Sequence, residues 1–125
     1  MTSDQKELYS EWKRLINMTP KELEDFMDEW GDTAGLSRQE ASDQGIRSGR
    51  DSARAIIRMK NKGVSNWNRN DWEWAQRQVA FVKRFTSSSP RRKSGRKPRH
   101  KLYDDKGPTR YLLALLLWGH DPEKN

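Results

Sequence analysis

The sequence contains no cysteine. Disulfides, thiolate metal centres and cysteine nucleophiles are therefore excluded, and a reducing compartment fits. Aliphatic bulk is also scarce, because Leu, Ile, Val and Phe together supply 20 of 125 residues while the net charge is +7. That balance leans towards the composition of disordered chains. The longest strongly apolar run, Tyr111 to Trp118, spans eight residues, far below the roughly 20 that cross a bilayer. The opening MTSDQKELYSEWK has no apolar signal-peptide segment. A soluble, cytoplasmic protein is the expectation.

Catalytic chemistry is equally thin. Histidine occurs twice, as His100 in a basic stretch and as His120 beside Asp121, and no local motif marks a nucleophile for a His and Asp pair to activate. A helix-capping role suits His120 better. There is no Gly-rich phosphate loop, metal-ligand spacing or paired-carboxylate signature. The expectation is a protein that is not an enzyme and needs no metal or cofactor.

What the chain does have is aromatic bulk and charge. Six Trp, three Tyr and four Met can close a small core, since each aromatic side chain buries about 150 to 250 Å². Charge is segregated. Residues 1–36 carry a net charge of −5 and residues 37–125 a net charge of +12, the footprint of a polyanion binder. One domain is expected, comprising an acidic helical hairpin (1–36), a basic helical core (37–85), a basic flexible loop (86–107) and a buried C-terminal helix (108–122). The fold class predicted is all-α, a small bundle of about five helices with a long, basic, disordered loop between the fourth and fifth.

Periodicity and punctuation place the helices. Leu8, Tyr9, Trp12, Leu15 and Ile16 follow helical spacing after the candidate caps Ser3 and Asp4, predicting a first helix ending near Asn17. Thr19, Pro20 and Glu22 form a capping box with proline at the first helical position, and Gly31 closes a second helix whose apolar face is Leu23, Phe26, Met27 and Trp30. A third helix is predicted from Ser37 to about Lys60, with Gly63 as its stop. Its Ala41, Gly45, Gly49, Ala53, Ile56 and Ile57 share one side, and small residues at that spacing permit close packing. Asn70 and Glu73 cap a fourth helix running to about Phe85, whose broad apolar arc (Trp72, Trp74, Ala75, Val79, Phe81, Val82, Phe85) predicts the central element of the core. DDKGP reads as a turn, and RYLLALLLWG as a short buried helix ended by Gly119.

Candidate contacts follow from the cations. Arg47, Arg50, Arg54 and Arg58 line the polar side of the third helix, and the stripe reads equally well as an anion contact or as an ion-paired face with Asp43 and Asp51. Lys83 and Arg84 lie on the exposed strip of the fourth. Between Thr86 and Lys101 the sequence TSSSPRRKSGRKPRHK holds Arg91, Arg92, Lys93, Arg96, Lys97, Arg99 and Lys101 with no acid and no aliphatic residue. Within it, GRKPR resembles the core of an AT-hook, although Lys97 separates Arg96 from Pro98; narrow A·T minor grooves attract arginine. Most tryptophans sit at core spacing. Trp67, in the polar turn SNWNRN outside any periodic face, is the candidate for stacking on a ligand.

Four segments, LINMTPKELEDFM, SGR (48–50) within GIRSGRDSARAIIRM, DWEWAQRQVAFVKR and YDDKGPTRYLLALLLWGHDP, taken in order, resemble a family of small bacterial and phage proteins of unknown function whose members often carry a DNA-binding label. The final WGHDP is the most specific piece. The resemblance implies DNA binding without a designated active site. Because the linker before YDDKG is longer and more basic here, contact through it would be an elaboration of the shared fold. Two functions are expected from these readings. The first is non-specific nucleic-acid binding, DNA before RNA, through the basic loop and the Arg stripe. The second is a structural or adaptor role in which the basic half meets an acidic protein or another copy of the chain.

Overall fold

The computed structural model describes residues 1–30, 49–86 and 102–124. Among them the chain is all-α, with helices α1 (Ser3–Leu15), α2 (Pro20–Trp30), α3 (Gly49–Lys62), α4 (Arg69–Thr86) and α5 (Arg110–Leu117). A single 3-10 turn, Val64–Asn66, joins α3 to α4, and a two-residue antiparallel ladder pairs β1 (Tyr103–Asp104) with β2 (Gly107–Pro108). The predicted beginning of the third helix, from Ser37, lies outside the described residues, as does the basic loop from 87 to 101.

Side-chain caps set the helix starts. Thr2, one residue before the expected Ser3, accepts from Gln5 N while the Gln5 side chain reaches back to Thr2 N. At α2 the expected box is present, with Thr19 N donating to Glu22 Oε1 (2.8 Å) and Glu22 N to Thr19 Oγ1 (3.1 Å). The box of α4 sits two residues earlier than Asn70 and Glu73. There Asp71 N donates to Asn68 Oδ1 and Asn68 N to Asp71 Oδ2, both at 3.0 Å. Either pair has the right spacing, but Asp71 is also buried against two cations, and that tertiary interaction selects the register.

Packing differs from the expectation in two respects. The first two helices do not rest chiefly on one another: α1 lies on α4, whereas α2 lies on α3 and α5. The hub is also α3 instead of α4, since α3 touches α2, α4 and α5. Small side chains explain this. Gly49, Ser52, Ala53 and Ala55 are all buried on α3, so neighbouring helices approach from several directions. A Cβ on Gly49 would stand 2.6 Å from Leu117 Cδ2 and 3.1 Å from Trp118 Nε1 of the last helix and its cap.

The core is as aromatic as the composition requires. Trp12, Trp67 and Trp74 are buried together with Ile16, Leu23, Ile56, Met59, Val82 and Leu112, Leu113, Leu115 and Leu117 of α5. Edge-to-face contacts join Trp67 to Trp12 (4.9 Å), Tyr9 (5.4 Å) and Trp72 (4.8 Å). A second aromatic row, Trp118, Phe81, Phe85 and Tyr111, runs stacked between α4 and α5. Among the described residues no helix is long and apolar enough to cross a membrane.

Candidate nucleic-acid interface

The base of the basic loop is a closed junction. Thr86 Oγ1 donates to Val82 O (2.7 Å) at the end of α4. Tyr111 Oη donates to Phe85 O (2.7 Å), and the two rings stack at 6.0 Å with their planes 4° apart. On the return side, Thr109 N donates to Leu102 O (2.9 Å) and the Thr109 hydroxyl caps α5 through Leu112 N. The loop therefore leaves and re-enters the fold at one place, where α4 ends and α5 begins. Arg84 and Arg110 are both exposed there and have no ion pair among the described residues.

The arginines of α3 are placed less uniformly than the stripe implies. Arg54 is exposed and faces Asp51 at 3.7 Å. Arg50 is half-buried. Arg58 is exposed too, but its guanidinium lies 3.3 Å from the fully buried Asp71 carboxylate, which Lys62 also holds at 2.6 Å. Burial alone would raise the Asp71 pKa, but hydrogen bonds from Lys62, Asn68 N and Arg58 outweigh it and keep the carboxyl below its usual range. Lys83 turns towards α1, where Glu11 takes its ammonium at 2.6 Å. Arg47, Arg91, Arg92, Lys93, Arg96, Lys97, Arg99 and Lys101 lie outside the described residues.

Trp67 is not the exposed platform that its polar turn implied. It is 8 % exposed, and its indole N–H donates to Met59 O at 3.0 Å. The 3-10 turn folds the ring back under α1, a step that periodicity does not register because the turn belongs to no helix face.

His120 caps a helix other than its own. Its Nδ1 lies 2.6 Å from Leu15 O, and because a carbonyl only accepts, Nδ1 carries the hydrogen. Around it, Asn17 Nδ2 donates to Asp121 O, Asp121 N donates back to Asn17 Oδ1, Met18 N donates to Gly119 O, and Lys124 Nζ donates to Asn17 O. Lys60 Nζ completes the set by donating to Ile16 O (2.6 Å) and Met18 O (2.7 Å). The WGHDP segment thus fastens the α1–α2 connection, and Leu15 O, the last carbonyl of α1, finds its donor there. Among the described residues no group of three or more His, Asp or Glu could hold a metal.

A further residue that sequence reasoning missed is Gln78. It is fully buried, accepts from Trp12 Nε1 (2.7 Å) and donates to Ser52 Oγ (3.3 Å), tying α1, α3 and α4 together. Its one sequence signal is position, a polar residue lying within the apolar arc between Ala75 and Val82.

Comparison with known families places the chain. The family described as a protein of unknown function, DUF3140, matches residues 11–103. The chain belongs to that family. The match begins within α1, takes in α2 to α4 and ends at the first residue of β1, so WGHDP lies beyond it, and the family description assigns no activity. No curated protein and no solved structure matches the chain.

Proposed function

We propose that this member of the DUF3140 family is a small basic nucleic-acid-binding protein that contacts phosphates non-specifically. The observation that carries the reading is the concentration of cations at the loop junction. From Lys83 to Arg110 the sequence holds 11 Lys or Arg against Asp104 and Asp105, and the Phe85 and Tyr111 contact keeps both ends of that stretch together. The contact set is Arg84, Arg91, Arg92, Lys93, Arg96, Lys97, Arg99, Lys101 and Arg110, with Arg47, Arg50, Arg54 and Lys83 at its margin. Arg58 leaves the set, because its guanidinium is already engaged with the buried Asp71 carboxylate. The GRKPR segment favours DNA over RNA.

A tethered loop binds differently from a free tail: it follows one groove near its anchor. If about five phosphates are engaged, log affinity falls with log salt at a slope of roughly −4 to −5 on duplex DNA. Fluorescence anisotropy at several salt concentrations measures this. Deleting residues 87–100 flattens the slope, and an unchanged slope removes the loop from the mechanism.

A second reading has its own support. Glu24, Asp25, Asp28 and Glu29 form an exposed acidic face on α2, a surface complementary to the basic loop of another copy. Light scattering without nucleic acid tests it: self-association that dissolves in salt favours the adaptor role, and a salt-independent monomer rejects it.

A further inference from the structure

Beside Trp67 the surface holds a cavity of about 270 Å³, lined by Tyr9, Trp12, Lys13, Met59, Lys60, Gly63, Val64 and Trp67. Met59, Trp12 and Trp67 are buried and form its floor, while Tyr9, Lys60, Gly63 and Val64 are half-buried and Lys13 is exposed at the rim. Gly63 adopts φ +80, and a Cβ there would meet nothing within 4 Å, so the rim is open on that side. Two ammonium groups sit over aromatic faces around this space, Lys13 Nζ 4.8 Å from the Tyr9 centroid and Lys60 Nζ 5.4 Å from the Trp12 centroid.

Neither lysine has a carboxylate within ion-pair distance among the described residues. Lys60 spends two N–H groups on Ile16 O and Met18 O, which leaves the third of its three donors. The titratable groups around it are Tyr9 and Lys13 from α1, Glu22 from α2, and His120 and Lys124 from the C-terminal segment. Glu22 is already taken by Lys124. Burial first and repulsion from Lys124 second, against the pull of Glu22, lower the Lys60 pKa to about 8.

We propose that this cavity is a nucleotide-phosphate subsite, receiving a terminal phosphate between Lys13 and Lys60 with the attached base or sugar against the Tyr9 ring and the Val64 side chain. The proposal rests on the nucleic-acid reading above and gives it a strand-end preference that the loop alone does not supply. A phosphate carries two charges into a site with two cations, and charge-assisted hydrogen bonds to it are stronger than neutral ones. The same chemistry is offered by a free nucleotide and by the phosphorylated end of a single strand.

The test is a tryptophan-fluorescence titration of the full chain with thymidine 5′-monophosphate and with a short oligothymidylate bearing or lacking a 5′-phosphate. The expected result is quenching and a preference of about tenfold for the phosphorylated strand, the worth of one charged hydrogen bond. Lys13→Ala, at an exposed position, and Lys60→Met each abolish that preference while the salt-dependent affinity for blunt, unphosphorylated duplex stays. The preference also fades as pH rises through about 8, where Lys60 loses its proton, ahead of any ordinary lysine. Equal binding of the two strands, or a preference that survives both substitutions, overturns the subsite. Quenching by the mononucleotide alone identifies a free nucleotide as the ligand. Loss of duplex binding with the strand-end preference intact rejects the loop and leaves the subsite standing.

Discussion

At the scale of single residues, three buried polar groups decide more than their number implies. Ser52, Asp71 and Gln78 are the polar side chains with essentially no exposure among the described residues, and each is satisfied, as buried polar groups must be. Asp71 has the sharpest consequence. Its carboxyl titrates below the value it has in the unfolded chain, so the stability it contributes is present above the ordinary aspartate range near pH 4 and is lost as pH falls through the lower folded value. Asp71→Asn keeps the shape and removes the charge that Lys62 and Arg58 face. At pH 7 it should cost about 2 kcal/mol, the scale of hydrogen bonds to charged groups. In urea unfolding the gap between the two proteins should narrow as pH falls below the ordinary aspartate range of about 4, where the unfolded chain takes up the proton that the folded carboxyl resists. A gap that is constant with pH would show that Asp71 acts through packing alone.

At the scale of elements, the decisive feature is how closely α3 and the end of α5 approach. Glycine at the first position of α3 is unremarkable by propensity alone, since glycine weakens helices by up to about 1 kcal/mol relative to alanine. Here the missing Cβ makes room for Leu117 and Trp118. Gly49→Ala therefore sets a propensity gain against overpacking of about 1 to 3 kcal/mol, and the net expectation is a loss of about 1 kcal/mol, read as a lowered Tm. A raised Tm would mean that Leu117 moves aside without cost. Gly119 shows the other use of glycine, because it holds φ +82 with Ile16 and Ile56 pressed against it, and any side chain there meets both obstacles.

At the scale of the whole molecule, charge and architecture act together. The exposed acids of α2 and the cations around the loop junction lie on different elements, and the fold keeps both accessible. This arrangement makes the salt dependence of association the most informative bulk property. The DNA titration and the light-scattering experiment read the two halves of it separately. The cavity between Lys13 and Lys60 adds a third, local readout that long-range screening affects less, since partly buried charges are screened less than exposed ones.

Composition and spacing by themselves determined the helical class, the two reciprocal caps at the start of α2, the stops at Gly63 and Gly119, and the exposed strip of Lys83 and Arg84, because these depend on interactions within a few residues. The tertiary structure alone decided which helix is the hub, that Trp67 faces inward, that Arg58 serves Asp71, and that His120 caps α1 across 105 positions of sequence. Each of these joins residues far apart in the chain, where periodicity along one helix carries no information about what the neighbouring helix presents.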